Sequence, residues 1–223
     1  LSGAKQKALI DEYGKATLFD YSYRYFYNDG YGKDYQILNL NEQWHQAGME
    51  ERVILYLTAS LLSFYEQLLV FRENRKSIQS FLIDKPLMIF VGGKVTAVRT
   101  VDGISQSDVI EILMFLSAFV KNDTNSINNI KLIIENKDGL NNEFGHSIFR
   151  NAFREIRKTG KTASHVYQDV LSEIFNSNVI GATLHIDNLK GQDGEIGLRI
   201  GNADYFGVIN VGDDKKLLSI CKE

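Results

Sequence analysis

The feature that most restricts the fold of this chain is a run of five apolar residues that stops at two glycines. Residues 87–91 read Leu-Met-Ile-Phe-Val, and Gly92 and Gly93 follow directly. An uninterrupted apolar run of this length is typical of a strand buried on both faces of a parallel sheet. We therefore predict an α/β fold, in which this strand opens a new sheet just after Pro86.

The part of the chain before Pro86 has the periodicity of helices. Residues 4–15 carry strong helix formers with few apolar positions, which predicts a short, solvated helix. Residues 49–82 predict a long helix with one buried face, because apolar residues recur there at steps of three and four. The members of that stripe are Ile54, Leu57, Leu61, Phe64, Leu68 and Phe71. Residues 36–40 predict a short strand, whereas residues 19–27 fit a strand or a helix equally well.

The part after the glycines changes from helical to alternating periodicity. A helix capped by Ser105 or Ser107 is expected first, with an apolar face formed by Val109, Leu113, Leu116 and Val120. Three more helices are predicted at about 124–136, 145–158 and 162–176. Apolar residues then alternate with polar ones in residues 182–186 and 196–200, and residues 206–211 form a third apolar run. We predict an antiparallel meander followed by a helix near Asp213.

Composition restricts the compartment and the partners. The chain has 25 basic and 28 acidic residues, a net charge of −3 and a single cysteine. No signal-peptide pattern is present and the longest apolar stretches are too short to cross a bilayer, so we predict a cytoplasmic protein with no membrane partner. The charge balance argues against a uniformly basic surface that coats nucleic acid, but it leaves a local basic patch open. From its two ends, we expect an internal segment of a larger protein.

The loop after the apolar run is the segment most suggestive of chemistry. A buried strand that ends in glycines exposes backbone N–H groups to an anion such as phosphate. The loop is not a Walker A motif, because Val95 follows Lys94 and no glycine precedes at the required distance. An ordinary turn between a strand and a loop remains the alternative.

Other groups of polar residues do not form a predicted catalytic or metal site. Asp187, Lys190 and Glu195 have the residue types of a metal-dependent nuclease. However, such a site expects a lysine two positions after the glutamate, where this chain has Gly197, so we interpret the three as solvated turn residues. The four histidines share no metal-ligand spacing. We therefore predict no catalytic residue and no metal site in this segment.

Residues 19–35 are unusually aromatic, with eight Phe or Tyr side chains in 17 positions. Two interpretations remain open. The rings could stack on the bases of a single strand, with Arg24 and Lys33 near the phosphates. Alternatively, they form a packing surface between domains. We favour this interpretation because a tyrosine ring packs against apolar groups while its hydroxyl remains available for hydrogen bonds.

Four stretches of the chain together resemble a known family. They are LFDYSYRYFYNDGYGKD at residues 18–34, LTASLLSFYEQ at 57–67, KPLMIFVGGKVT at 85–96, and the stretch LKGQDGEIGLRIG with FGVINVGDD within 189–214. The chain resembles, over essentially its whole length, the middle of bacterial DEAD/DEAH-box helicase-like proteins that serve as restriction (Res) subunits of type III restriction enzymes.

This resemblance implies a two-lobed, RecA-like motor that hydrolyses ATP with Mg²⁺ to move on duplex DNA, often coupled to an endonuclease domain. Residues 1–84 would be the tail of the first lobe with connecting helices. Residues 85–223 would open the second lobe, with a helical insertion at about 122–180. The resemblance places Gly92, Gly93, Lys94 and Thr96 at the nucleic-acid backbone.

The sequence departs from the family in lacking a Walker A loop, an acidic box on a strand and a terminal arginine motif. We therefore expect the segment alone to be inactive, and ATP and Mg²⁺ to bind elsewhere in the parent protein. The alternative function is a non-catalytic scaffold, in which the aromatic residues and the helical insertion dock a modification methyltransferase or another subunit.

Overall fold

The computed structural model divides the chain into two compact units. It describes residues 3–16, 18–32, 49–91, 99–101, 104–106, 108–189, 194–210 and 214–220. The first unit is Leu1–Leu38 and the second is Asn39–Glu223. The boundary predicted near Pro86 is a different one, because it was predicted to lie between two motor lobes. It stays a prediction. The strand predicted at residues 36–40 lies outside the described residues.

The first unit contains two short helices. Helix α1 (Gly3–Tyr13) leads into a 3-10 turn (Gly14–Ala16), and helix α2 (Tyr23–Asn28) follows. The described side chains of α1 are exposed, as its few apolar positions predict. Of residues 19–27, for which the sequence left strand and helix open, residues 23–27 lie in α2 and residues 19–22 have no regular secondary structure. Helix α2 ends at a turn where Gly30 has a φ of 84°. Glycine suits that position because it adopts positive φ without a steric penalty.

The second unit combines helices with small antiparallel sheets. Its helices are α3 (Met49–Ile78), which a 3-10 turn (Gln79–Phe81) extends, α4 (Asp108–Lys121), α5 (Asp123–Ile134), α6 (Arg154–Lys158), α7 (Ala163–Glu173) and α8 (Asp214–Ile220). Its strands are β1 (Arg99–Val101), β2 (Ile104–Gln106), β3 (Leu184–Asn188), β4 (Glu195–Ile200) and β5 (Gly207–Asn210). The predicted mixture of α and β structure is confirmed at this level.

Helix α3 is the long helix that the sequence predicts, but its buried face differs from the predicted stripe. Ile54 is 38% exposed, whereas Leu61 and Leu68 are buried as predicted. The side chains buried to less than a tenth exposure are Thr58, Ala59, Leu61, Leu62, Tyr65, Glu66, Leu68 and Leu69. The sequence does not single out this face, because the middle of α3 carries apolar residues all around.

The apolar length of α3 corrects one prediction. The helical stretch Glu51–Phe81 meets the length and composition of a membrane span, and half of its apolar window is buried inside the structure. The prediction that every apolar stretch is too short to cross a bilayer was wrong. It considered only uninterrupted runs of apolar residues, whereas the apolar stretch of α3 is interrupted by Thr58, Ser60 and Glu66. The expectation that the protein has no membrane partner stays a prediction.

Helices α4 and α5 meet at a sharp corner. Leu113, Leu116 and Val120 of α4 are buried, which confirms three of the four positions predicted for its apolar face. Only Asn122 separates the two helices, and its side chain caps α5 by accepting a hydrogen bond from the Asn125 N–H. Tyr167 closes the corner from α7.

The contacts at this corner involve the last carbonyls of α4. The Tyr167 hydroxyl lies 3.1 Å from the carbonyl oxygens of both Phe119 and Val120. The Ser126 hydroxyl also donates to the Phe119 carbonyl at 2.8 Å. These bonds pair carbonyl groups that the end of a helix leaves without an intrahelical partner.

The helix predicted at residues 145–158 is mostly wrong, since only α6 forms. The Asn142 carboxamide accepts hydrogen bonds from the N–H groups of Phe144 and His146, and so draws this segment into a local turn. Such bonds compete with helix formation. The helices predicted at 124–136 and 162–176 are confirmed by α5 and α7.

The meander predicted near the end of the chain is confirmed. Strands β3, β4 and β5 form an antiparallel sheet in that order, with Leu184 opposite Ile200 and Ile196 opposite Ile209. The central strand β4 buries Ile196 and Ile200 almost completely. Helix α8 follows as predicted.

The strand predicted at residues 87–91 is wrong in this structure. These residues form no regular secondary structure, and Leu87 and Val91 are 80% and 87% exposed. None of the described strands pairs with them. Apolar composition alone does not make a strand, because the backbone needs a neighbouring strand and the side chains need covering layers. The hairpin of β1 and β2 was not predicted.

Candidate functional site

The loop predicted to approach the nucleic-acid backbone lies outside the described residues. This holds for Gly92, Gly93, Lys94 and Thr96 alike. On the two sides of this loop, the nearest described residues are Val91 and the first residue of β1, Arg99. Their contact with nucleic acid therefore stays a prediction.

The segment that leads into this loop leaves a row of large apolar side chains uncovered. We call residues 81–91 the uncovered apolar segment. Among its exposed apolar side chains, the exposed fraction runs from 41% at Phe90 to 89% at Leu82. The other exposed members are Phe81, Ile83, Leu87, Ile89 and Val91. Seven exposed large apolar side chains within eleven residues are characteristic of a place where another part of a protein binds.

The aromatic residues of the first unit contact one another and stay exposed. We call this group the aromatic cluster. Its ring centroids lie 5.6 to 6.5 Å apart in the pairs that contact. Its members are Phe19, Tyr21, Tyr23, Phe26, Tyr27 and Tyr31. The Tyr21 hydroxyl donates to Asp29 at 2.7 Å, and this hydrogen bond raises the pKa of Tyr21 above its ordinary value.

A partly buried polar group joins α3 to α7. The Tyr65 hydroxyl and the Lys161 ammonium both donate to Asp169 Oδ2, each at 2.5 Å. One turn further along, Arg72 binds Glu173 at 2.7 Å. Burial, together with the hydrogen bond to Asp169, raises the pKa of Tyr65, so the phenol remains a neutral donor. The group holds two helices together and presents no nucleophile.

The Asp169 carboxylate is stabilised in its charged form. Partial burial raises its pKa, but the hydrogen bonds from Lys161 and Tyr65 outweigh that effect and hold the pKa below its ordinary value. A depressed pKa contributes stability above the unfolded value of about 3.9, and that stability is lost as the pH falls through the folded value.

Changing Asp169 to Asn is expected to lower the free energy of unfolding at neutral pH, with a difference from wild type that shrinks below about pH 4. Urea unfolding at neutral and acidic pH measures this difference. Asp204→Asn, at an exposed position, serves as the control. A difference that stays constant across this range would contradict the assignment.

A GKT triplet precedes α7 and escaped the sequence reasoning. Gly160, Lys161 and Thr162 occupy the order that ends a Walker A motif, but Glu155 stands where its first glycine is required. The Thr162 hydroxyl caps α7 by accepting from the His165 N–H, and Lys161 is engaged with Asp169. The triplet is therefore a helix start rather than a nucleotide-binding loop.

Glu66 is the most buried carboxylate among the described residues. It is 9% exposed and projects from α3 toward the start of α6. Its two oxygens accept hydrogen bonds from the N–H groups of Phe153 and Glu155, both at 2.7 Å. Phe153 adopts a left-handed backbone with a φ of 63°, which is strained for a residue with a side chain. Glu66 therefore fixes the start of α6.

Two of the three residues that resemble a nuclease cluster are described, and both lie in strands: Asp187 in β3 and Glu195 at the start of β4. Asp187 lies in β3, not in the turn as predicted, and binds Arg199 of β4 at 2.5 Å. The Arg199 hydrogen bond lowers the pKa of Asp187. Gly197 lets the Tyr205 ring pack closely, since a Cβ there would lie 2.7 Å from it. Lys190 lies outside the described residues.

No group of three His, Cys, Asp or Glu side chains is placed to hold a metal ion among the residues that the structure describes. His146, His165 and His185 belong to three separate segments, and His45 lies outside the described residues. The prediction that this segment binds no metal stays a prediction.

Residues 122–180, which the resemblance predicts to be a helical insertion, contain a basic segment that the sequence reasoning missed. Residues 150–161 carry five of the chain's 25 basic side chains and one acidic side chain. Arg157 turns inward, where it donates to the carbonyls of Ile134 and Ala152. Arg150 and Arg154 are exposed. A count of charge in short windows could have found this segment.

No protein-family profile, curated protein or solved structure matches this chain.

Proposed function

We propose that this chain is a segment of the ATP-dependent DNA motor of a type III restriction system. In this proposal it contributes a DNA contact and the scaffold of the RecA-like lobes, while ATP and Mg²⁺ bind elsewhere in the parent protein. The observation that carries the proposal is the resemblance of residues 18–34, 57–67, 85–96 and 189–214 to Res subunits. The mixed α and β fold is compatible with it.

The uncovered apolar segment sets a condition that the proposal has to meet. In a RecA-like lobe, a continuous apolar run forms an inner strand with neighbours on both sides. The described strands supply no such neighbour to residues 87–91. The proposal therefore requires that a sheet outside the described residues pairs with this segment. Such pairing would cover the exposed side chains of Leu87, Ile89 and Val91.

The aromatic cluster favours a second candidate function. Six exposed rings in a single small unit make a surface suited to protein partners, because tyrosine and phenylalanine are enriched in interfaces. In that case, the chain is a non-catalytic scaffold that docks a modification methyltransferase or another subunit. The two candidates differ in whether the chain itself binds DNA.

Changing Lys94 to Ala is expected to weaken binding of the chain to duplex DNA. Loss of one phosphate contact should reduce affinity roughly threefold to tenfold at low salt, and should lower the slope of log affinity against log salt by about one. Fluorescence anisotropy of a labelled duplex, measured at several salt concentrations, gives both quantities. Lys85→Ala removes the same charge from an exposed position in the preceding segment and is the matched control.

Equal affinities for the Lys94→Ala and Lys85→Ala variants would remove the loop from the DNA contact. Failure of the unmodified chain to bind duplex at low salt would contradict the DNA-binding proposal. Co-elution of such a chain with a purified modification methyltransferase subunit would then establish the scaffold function.

A further inference from the structure

One short segment of the predicted helical insertion has a local excess of positive charge. The whole chain carries a net charge of −3, yet residues 150–161 hold five basic side chains against one acidic side chain. Charge of one sign that is concentrated on one segment raises the local concentration of oppositely charged ligands. The segment is therefore the strongest anion-attracting feature of the insertion.

Three of these cations are exposed, and we call them together the basic surface: Arg150, Arg154 and Lys158. Arg150 and Arg154 make no ion pair with any residue that the structure describes. Lys158 binds Glu155 at 2.7 Å, with its own side chain 57% exposed. Arg154 and Lys158 are four residues apart in α6, so they share one face of that helix.

The backbone beneath the basic surface is held firmly. A five-residue helix is not stable by itself, because nucleating a helical turn costs more than so few hydrogen bonds return. Here Glu66 accepts from two N–H groups at its start, and Arg157 binds Ile134, Ala152 and the Asn136 side chain. A buried carboxylate and a strained Phe153 thus shape the backbone that presents the arginines.

The start of α6 cannot itself bind an external anion, because the Glu66 carboxylate already occupies its N–H groups. Recognition must come from the side chains. Guanidinium groups bind phosphate oxygens through paired N–H donors, and they lose little hydration in doing so. Two exposed guanidinium groups at separate positions of the chain can each contact a different phosphate of a nucleic-acid backbone.

We propose that the basic surface binds the phosphate backbone of duplex DNA, as a contact separate from the loop at residues 92–96. This inference rests on the proposed DNA-motor function and deepens it, since it gives the helical insertion a role. The contact is independent of base sequence, because phosphates carry no sequence information.

The test is duplex binding by the full chain with Arg150→Gln and Arg154→Gln combined. Removing two phosphate contacts should lower the salt slope by about two and reduce affinity roughly tenfold or more at low salt. The matched control is Arg75→Gln with Lys76→Gln, which removes the same charge from exposed positions at the end of α3. Thermal unfolding followed by circular dichroism verifies that both variants fold like wild type.

The outcomes separate this inference from the proposed function. Loss of binding in the basic-surface variant alone supports the inference, whatever Lys94→Ala does. Equal losses in both double variants would overturn it, because net charge would then account for the effect. Binding that responds to Lys94→Ala but not to the arginine changes would overturn the inference and leave the proposed function standing. A wild-type chain that does not bind duplex at low salt would overturn both.

Discussion

Replacing Glu66 with alanine is expected to lower the free energy of unfolding by about 4 kcal/mol, since each buried donor left without a partner costs about 1 to 3 kcal/mol. The two donors are the N–H groups of Phe153 and Glu155. Each donates a hydrogen bond to one oxygen of the Glu66 carboxylate at 2.7 Å. Urea unfolding followed by circular dichroism measures the loss. Glu73→Ala, at an exposed position of the same helix, should change stability by less than about 0.5 kcal/mol.

The Glu66→Gln variant distinguishes the hydrogen bonds from the packing of the side chain. A carboxamide has one acceptor oxygen and one NH₂ group. Its oxygen accepts a hydrogen bond from one of the two backbone N–H groups, but its NH₂ group is a donor and leaves the other N–H without an acceptor. We expect the free energy of unfolding of Glu66→Gln to lie between those of wild type and Glu66→Ala. Equal stability of Glu66→Ala and Glu73→Ala would show that the buried carboxylate does not hold α6.

Replacing Phe175 with alanine is expected to cost about 3 to 5 kcal/mol, which is the range for large-to-small changes in a core. Phe175 is fully buried, and its ring contacts Phe119 of α4 at 5.9 Å and Phe206, next to β5, at 4.9 Å. The side chain thus joins the helical core to the sheet. The melting temperature should fall by roughly 10 °C, given about 2 to 4 °C per kcal/mol for a chain of this size.

Two further variants make the Phe175 prediction decisive. Phe144→Ala removes an equal ring at a position that is 73% exposed, and should leave the melting temperature nearly unchanged. Phe175→Leu keeps much of the volume and should cost less than Phe175→Ala. Similar melting temperatures for Phe175→Ala and Phe144→Ala would show that this ring does not join the helices to the sheet.

The elements that the sequence predicts well are those with a one-sided pattern. In α4, the spacing of Leu113, Leu116 and Val120 defines a single face, and those side chains are buried. The meander follows from strict alternation, because only one face of such a strand is apolar. In α3 the pattern is ambiguous, so the sequence predicts the helix but not the face that buries Tyr65 and Glu66.

The elements that the sequence predicts wrongly depend on partners or on local hydrogen bonds. The run at residues 87–91 is apolar enough for an inner strand, but a strand exists only beside another strand. Asn142 redirects the predicted helix at 145–158, through bonds that periodicity does not show. For the candidate site, the predicted loop at residues 92–96 is untested. The basic surface was missed because a balanced overall charge hid a local excess.

The corner between α4 and α5 shows how a residue distant in sequence can satisfy the end of a helix. In one continuous helix, the carbonyls of Phe119 and Val120 would accept from the N–H groups of Asp123 and Thr124. The Tyr167 hydroxyl lies against both carbonyls instead. A residue of α7 thus supplies, at the break between α4 and α5, a hydrogen bond that an uninterrupted helix would make within itself.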